Sequence, residues 1–183
     1  FKKLASQLAE PLSLLYQSSM SVGELPKEWK TGIVSPIYKS GLACDVSNYR
    51  PVSLTCIACK LMERIIVHRM LFYLRSNNII TRQQHGFLSR RSTTSNLLDC
   101  LNDWTLAVNN KHSVTIAYID YSKAFDVVCH NKLLFKLAHY GITGNLLKWI
   151  CSFITGRTQR TKCARRGYAL RGCALLLATH SHA

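Results

Sequence analysis

Apolar residues recur every three or four positions over five stretches of the chain, near residues 4–15, 58–72, 97–108, 133–140 and 146–154. Side chains at this spacing lie on one face of a helix, so each stretch predicts an amphipathic helix. Pro11 predicts a kink or a restart in the first helix. Gly141 and Gly156 predict where the last two helices end. Either His130 or Asn131 is expected to cap the fourth helix.

Three shorter stretches predict strands, at residues 31–38, 51–54 and 113–120. Pro36 predicts that the first lies at a sheet edge, because proline cannot donate to a hydrogen-bond ladder. The third has apolar residues on both faces, which is typical of a strand buried on both sides. Helices alternate with a few strands, so the predicted fold class is α/β or α+β.

The charge of the chain is strongly positive and unevenly placed. The 183 residues include 24 Lys or Arg and 9 Asp or Glu, for a net charge of +15, and none of the acidic residues follows Asp126. Such a balance favours a polyanionic partner, of which nucleic acid is the usual one. A solvated basic face is the alternative. A hydrophobic fraction of 48% excludes a disordered chain and suits one domain or a large piece of one.

No apolar run approaches the roughly 20 residues of a membrane span, and no signal-peptide pattern follows Phe1. We therefore expect an intracellular protein of the cytoplasm or nucleus with no membrane partner. A first residue other than Met predicts that the chain is a fragment. Cys56 and Cys59 form a lone C-x-x-C without a second ligand pair, which favours a buried pair of reduced thiols over a metal site.

The segment Y-I-D-Y-S-K-A-F-D places Asp120 at the end of the third predicted strand and Asp126 just beyond it. A carboxylate at this position suits Mg²⁺, which prefers oxygen ligands and is used in phosphoryl transfer. The alternative is that Asp120 or Asp126 caps the following helix.

Two further segments carry cations. Lys39 and Arg50 lie at the junctions of two short predicted strands, where paired cations could hold a triphosphate. Ordinary surface charges are the alternative there. The hydroxyl-rich loop 83–94 contains Arg90 and Arg91 and suits a phosphate backbone. A solvated loop with Ser92 or Thr93 as helix cap explains the same residues.

Taken together, the motifs resemble the reverse transcriptases of non-LTR retrotransposons, particularly jockey-like elements. The resemblance runs from about residue 4 to residue 160. In chain order it rests on W-K-x-x-x-V-x-P-I-Y-K-S-G, N-Y-R-P-V-S-L, K-L-M-E-R-I-I, Q-H-G-F-L-S-x-R-S-T, Y-I-D-Y-S-K-A-F-D-V-V and G-R-T-Q-R.

The resemblance implies the fingers and partial palm of a right-hand polymerase over residues 1–160, followed by a divergent, poorly ordered basic tail at 161–183. Lys39 and Arg50 match the residues that hold the incoming deoxynucleoside triphosphate. Asp120 matches the first catalytic aspartate, which binds Mg²⁺ together with the carbonyl of Tyr121. Phe125 matches the aromatic residue that excludes a 2′-hydroxyl. The residues of the loop near the template are Gln84, Gly86, Phe87, Arg90, Arg91 and Ser92. The implied reaction is RNA-templated extension of a DNA primer.

The sequence also departs from the family pattern. It contains no Asp-Asp pair, although an aromatic-Ala-Asp-Asp hairpin completes the family's active site. Arg90 occupies a position where the family usually has Gly, which is expected to distort the loop. His180 and His182 are poor replacements, because Mg²⁺ prefers oxygen donors. We therefore expect a reverse transcriptase domain fragment that is inactive alone. The alternative is a non-catalytic, basic remnant that binds nucleic acid.

Overall fold

The computed structural model describes residues 2–121 and 124–161. In these ranges the chain forms α1 (Ala5–Val22), β1 (Thr31–Tyr38), β2 (Tyr49–Leu54), α2 (Ile57–Ser76), α3 (Thr93–Asn109), α4 (His130–His139), α5 (Gly144–Ile154) and β3 (Thr158–Thr161). Short 3₁₀ turns at Lys2–Leu4, Lys27–Lys30 and Val46–Asn48 precede α1, β1 and β2. All five predicted helices are present, and the mixed α/β class is confirmed. Pro11 lies inside α1, which continues past it as one helix. The expected disorder of the tail concerns residues that, apart from residue 161, lie outside the described ranges.

The three strands form one sheet in the order β2-β1-β3. β1 pairs antiparallel with β2 and parallel with β3. The predicted edge position of β1 is therefore wrong, because β3 covers Thr31–Val34 on its second side. Pro36 lies beyond the paired part of β3 and faces Pro51 across the hairpin, so neither proline interrupts a ladder bond. β3 was missed because Thr-Gln-Arg-Thr has no apolar pattern.

The predicted buried strand at 113–120 is wrong. These residues have neither helix nor strand, and all of them are exposed, Ile119 by 74% and Tyr118 by 86%. A strand is stabilised by the ladder it shares with a neighbour. No strand of the described chain pairs with this segment, so its apolar residues have no sheet in which to be buried.

The described residues divide into two compact units, the first formed by those within 1–68 and 129–183 and the second by those within 69–128. In the first, α1 and α4 both pack on α5. Trp149 of α5 is 2% exposed, stacks on Phe153 and donates from Nε1 to Ser19 Oγ over 3.0 Å. Arg157 covers the other end of this cluster, with its guanidinium 4.9 Å from the Phe153 ring.

The core of the first unit also joins α1 to α2 and to the 3₁₀ turn that precedes β1. Tyr16 packs edge-on against Trp29 and donates to the Ala58 carbonyl over 2.9 Å. Burial raises the pKa of the Tyr16 hydroxyl and that of the Cys59 thiol above their ordinary values. Cys59 is thus buried as predicted, whereas Cys56 is only half-buried.

The second unit is built on α3 and the loops on either side of it, together with the end of α2. Its large apolar side chains are mostly exposed, including Phe72, Leu97, Leu98 and Leu106. No helix in the described ranges has the length and apolar character needed to cross a membrane.

Candidate functional site

The β1–β2 hairpin brings Lys39 and Arg50 to one face of the sheet. Arg50 pairs with Ile37, and the Lys39 N–H donates to the Asn48 carbonyl over 2.8 Å, which continues the ladder one step past the strand. Because side chains alternate along a strand, Ile37, Lys39 and Arg50 share a face. Lys39 and Arg50 are diagonal neighbours, for which Cβ atoms lie about 7–8 Å apart or less.

The turn between the two strands is held by its own side chains. The Asp45 carboxylate accepts from the Ser47 N–H over 2.9 Å, and this hydrogen bond lowers the pKa of Asp45. Asn48 Nδ2 donates to the Leu42 carbonyl over 3.0 Å. Gly41 has φ of +94°, and a Cβ there would lie 2.6 Å from Asn48 Nδ2, so both conformation and space require glycine. The two cations therefore stand on a defined backbone.

Lys39 and Arg50 are exposed and form no ion pair with any residue in the described part of the chain. The strand positions that share their face carry no acidic residue. The face is consequently electropositive, and its charges are free to meet an anion from solution.

In the second unit, the loop that precedes α3 is organised around a buried histidine. His85 is 8% exposed, and its Nδ1 lies 3.0 Å from Ser95 Oγ. Its Nε2 lies 3.0 Å from Arg91 Nη1 and 3.1 Å from Asp99 Oδ2. The network ties the loop to the first two turns of α3. Sequence reasoning missed His85, and the spacing of His85, Ser95 and Asp99 offers no pattern that would have revealed it.

Two of the predicted nucleic-acid-binding residues of this loop have partners within the protein. Ser92 caps α3: its Oγ accepts from the Ser95 N–H over 3.0 Å, and Ser95 Oγ accepts from the Ser92 N–H over 2.9 Å. The cap predicted at Ser92 or Thr93 is confirmed at Ser92. Arg91 is half-buried and engaged by His85. Both residues therefore shape the loop. For Ser92 this is the capping role that the alternative interpretation gave it, whereas the contact of Arg91 with His85 was not predicted.

The other four predicted nucleic-acid-binding residues of the loop, Gln84, Gly86, Phe87 and Arg90, are exposed. Gln84 Nε2 donates to the Gly86 carbonyl over 3.0 Å, which holds the bend at Gly86. Arg90 has φ of +63°, in the left-handed region that favours glycine. The backbone at Arg90 therefore carries the strain of a side chain at a position whose conformation suits glycine, the residue that the family resemblance leads us to expect there.

Phe87 and Phe125, taken from separate motifs, meet in the second unit. Their ring centroids lie 6.0 Å apart at 88°, an edge-to-face contact. Phe87 has φ of +62°, which is rare for a bulky residue, and it is 85% exposed. Strained backbone of this kind tends to occur at functional sites.

Asp120 and Tyr121 lie in the exposed irregular segment before Phe125. The alternative that Asp120 or Asp126 caps the next helix is wrong, because α4 begins at His130 with Cys129 at its N-cap position. The cap predicted at His130 or Asn131 is wrong for the same reason. Within the described residues, no group of three or more His, Cys, Asp or Glu side chains could hold a metal ion.

Comparison with known proteins identifies the relatives of this chain. The family described as reverse transcriptase (RNA-dependent DNA polymerase) matches residues 37–174. The RNA-directed DNA polymerase from mobile element jockey of Drosophila melanogaster is 36% identical over 134 residues, which are 73% of this chain and 15% of that protein.

Two further relatives agree. The jockey polymerase of Drosophila funebris is 33% identical over 147 residues, 80% of this chain and 16% of its own length. The probable RNA-directed DNA polymerase from transposon BS of Drosophila melanogaster is 30% identical over 144 residues, 75% of this chain and 16% of its own. The chain thus spans about a sixth of the length of the curated relatives it matches.

Proposed function

This chain belongs to the reverse transcriptase (RNA-dependent DNA polymerase) family, and we propose that it supplies the fingers and part of the palm of a retrotransposon RNA-directed DNA polymerase. In this proposal residues 1–160 contain the first catalytic aspartate, Asp120, and the two residues that bind the triphosphate, Lys39 and Arg50, which we call the nucleotide grip. Residues 161–183 form a divergent basic segment. The substrates are deoxynucleoside triphosphates, an RNA template and a DNA primer.

The shared face of Lys39 and Arg50 is the observation that carries this proposal. Two exposed cations with no acidic residue at the strand positions of their face, on a hairpin fixed by its own turn, suit the triphosphate of an incoming nucleotide. Arg50 offers a planar fork to phosphate oxygens, and Lys39 offers a point charge. Their role is to bind and orient the triphosphate.

In the second unit, Phe125 is proposed to act on the sugar of a deoxynucleotide substrate by excluding a 2′-hydroxyl with its ring. Phe87 packs edge-on against that ring and limits the positions it adopts. The His85 network holds the loop from which Phe87 projects. Selection of the sugar would then depend on a pair of aromatic rings rather than on Phe125 alone.

The Asp120 carboxylate and the Tyr121 carbonyl are the proposed Mg²⁺ ligands. Mg²⁺ often keeps several waters and is held by one or two carboxylates plus substrate phosphates, so this donor set fits one ion. It does not fit two, since one carboxylate and one carbonyl are too few ligands and the described residues contain no group of three or more His, Cys, Asp or Glu side chains that could hold a metal ion. When bound, the ion would neutralise charge on the triphosphate.

Because the sequence contains no Asp-Asp pair, we propose that these 183 residues alone do not extend a primer. Primer extension on a homopolymer RNA template with Mg²⁺ and deoxynucleotides checks this. Template-dependent product from the purified chain would contradict it.

Binding of dTTP, measured by isothermal titration calorimetry, tests the nucleotide grip directly. We expect Arg50→Gln to weaken binding about tenfold and Lys39→Gln somewhat less, because each removes a charge-assisted hydrogen bond to phosphate. Lys132→Gln is the matched control, since Lys132 is an exposed cation of the same unit on α4, a helix that packs on α5. Equal affinities for the Arg50 and Lys132 variants would overturn the proposed grip.

A second candidate function is non-catalytic binding of nucleic acid. It is favoured by the net charge of +15 and by the absence of acidic residues after Asp126. Binding of this kind depends steeply on salt and little on sequence. An affinity for oligonucleotides that is unchanged between 50 and 200 mM salt would exclude it.

A further inference from the structure

The face of the sheet that carries Lys39 and Arg50 also carries a third cation. Arg160 belongs to β3, which none of the sequence patterns predicted, and it pairs in register with Ile33 of β1. Aligned residues on neighbouring strands point to the same side of a sheet. Arg160 therefore shares the face of Ile33, Ile37 and Arg50.

A side-chain contact confirms this assignment of faces. Thr31 and Thr158 are paired two positions earlier in the same ladder, and their Oγ1 atoms lie 3.1 Å apart. The opposite face begins with Gly32 and Val34, which are buried, and it carries the Tyr38–Tyr49 ring contact. The face with Arg160 is the open one, since Ile33 is 44% and Leu54 is 51% exposed.

The distance between the cations shows what they can bind together. Arg160 lies beside Ile33 and Arg50 beside Ile37, on opposite sides of β1. Their Cα atoms are thus separated by about 13 Å along the strand and about 10 Å across it, or about 16 Å in all. A single phosphate group is much smaller than this span. A nucleotide held by Lys39 and Arg50 would leave Arg160 to a different phosphate.

The surface between the cations is mostly apolar. Ile33, Val52 and Leu54 lie on it, each more than a third exposed, together with the half-buried Ser35, and none of the described strand positions on this face carries an acidic residue. An array of cations around an apolar floor is complementary to a single nucleic-acid strand, whose phosphates are charged and whose bases and sugars present uncharged surface.

We propose that Arg160 binds the phosphate backbone of a single strand that crosses the β2-β1-β3 sheet, beyond the nucleotide held by Lys39 and Arg50. This inference rests on the proposed function for the role of Lys39 and Arg50, and it extends the anion-binding face from one nucleotide to a strand. Arg160 is a positioning residue in this scheme, because it acts through the strand and touches no reacting atom.

Two titrations of the full chain test it, one with a 12-residue oligouridylate and one with dTTP. We expect Arg160→Gln to weaken oligouridylate binding about threefold to tenfold and to reduce the slope of log K against log salt by about 0.7, the change for one phosphate contact on a single strand. The affinity for dTTP should not change. Arg160→Lys should keep the salt slope, since it keeps the charge, and Lys132→Gln should behave as the unmodified chain.

The possible outcomes separate this inference from the nucleotide grip. If Arg160→Gln binds oligouridylate like Lys132→Gln, or if the unmodified chain does not bind it, the inference is wrong whatever dTTP does. If Arg160→Gln weakens dTTP binding as much as Arg50→Gln does, Arg160 belongs to the nucleotide site and the inference is again wrong. If Arg50→Gln leaves dTTP binding unchanged but Arg160→Gln still weakens oligouridylate binding, the proposed role of Lys39 and Arg50 is wrong and that of Arg160 stands.

Discussion

The two compact units of this protein differ in what they bury. The nine buried hydrophobic residues found in the described ranges all belong to the first unit; they are Leu25, Trp29, Val34, Cys59, Met62, Ile66, Ile142, Trp149 and Ile150. In the second unit the buried side chain is a polar one, His85, held by Ser95, Arg91 and Asp99. The first unit is organised by apolar packing and the second by a polar network.

The comparison shows that an amphipathic pattern forms a helix but does not ensure its burial. α3 and α5 both have apolar residues at helical spacing, although α5 is the more strongly apolar and amphipathic of the two. α5 packs between α1 and α4, whereas Leu97, Leu98 and Leu101 of α3 are each at least 45% exposed. Most of the stability of a helix in a protein comes from its packed face. We therefore expect the second unit to open at lower free energy than the first.

The largest expected effect is that of Trp149→Ala. It removes the ring that stacks on Phe153 and the hydrogen bond to Ser19, and it should lower the free energy of unfolding of the first unit by about 3–5 kcal/mol. Trp104→Ala in α3 is the matched control, because Trp104 is only half-buried, and it should cost about 1 kcal/mol. Urea titrations monitored by hydrogen exchange in each unit measure the loss in free energy of unfolding for both variants. Similar losses of unfolding free energy for the two variants would contradict the conclusion that apolar packing stabilises the first unit more than the second.

The next effect is that of His85→Ala, which should open the loop before α3. Loss of the imidazole leaves Ser95, Arg91 and Asp99 without their shared partner, at a cost of about 1–3 kcal/mol. We expect faster amide exchange over residues 84–96 and unchanged exchange in α1 and α5. The control is His112→Ala, since His112 is exposed. Faster exchange in α5 of the His85 variant as well would mean that the network does not act locally.

A smaller effect is expected from Ser92→Ala, which removes one half of the capping box of α3. Loss of such a cap costs about 1 kcal/mol and frays the first turn. The amide of Ser95 should exchange about fivefold faster, because 1 kcal/mol corresponds to roughly that ratio. Ser89→Ala, in the exposed part of the loop, serves as the control. No difference between the two variants would show that tertiary contacts, not the cap, hold the start of α3.

The smallest effect concerns the thiol of Cys59. Burial raises its pKa above the ordinary value of 9.0, so less thiolate is present at pH 8. We expect iodoacetamide to modify the exposed Cys44 and the half-buried Cys100 before Cys59, and urea to equalise the three. Because the pKa of Cys59 is higher in the folded state, the protonated thiol contributes its full stabilisation at a pH below the ordinary pKa. This contribution is lost as the pH rises through the raised pKa of the folded state. Modification of Cys59 at the rate of Cys100 would contradict a tighter core in the first unit.

The helices could be predicted from the sequence because their signals are local. The spacing of Leu97, Leu101 and Trp104 indicates α3, and the hydroxyl of Ser92 indicates its start. Strands were harder, since a strand is stable only against a neighbour. Residues 113–120 have the composition of a buried strand and find no partner among the described strands, whereas the polar β3 forms because β1 offers it an edge.

The same distinction applies to the candidate site. The motifs around Lys39, Arg50, Asp120 and Phe125 can be recognised in the sequence, because each is a short run of specific residues, and the family match agrees with them. Their arrangement depends on the register of strands and the packing of rings. No local pattern indicated that Arg160 shares a face with Arg50, or that Phe87 meets Phe125.

The sequence by itself therefore determined the family, the helices and the identity of the charged groups, since these depend on residue type and short-range spacing. The tertiary structure alone decided which helix faces are buried, which strands pair, and which cations lie together. The physical reason is that burial and strand pairing each require contact between segments that are distant in the sequence. The free energy gained depends on both segments, so it cannot be inferred from either one alone.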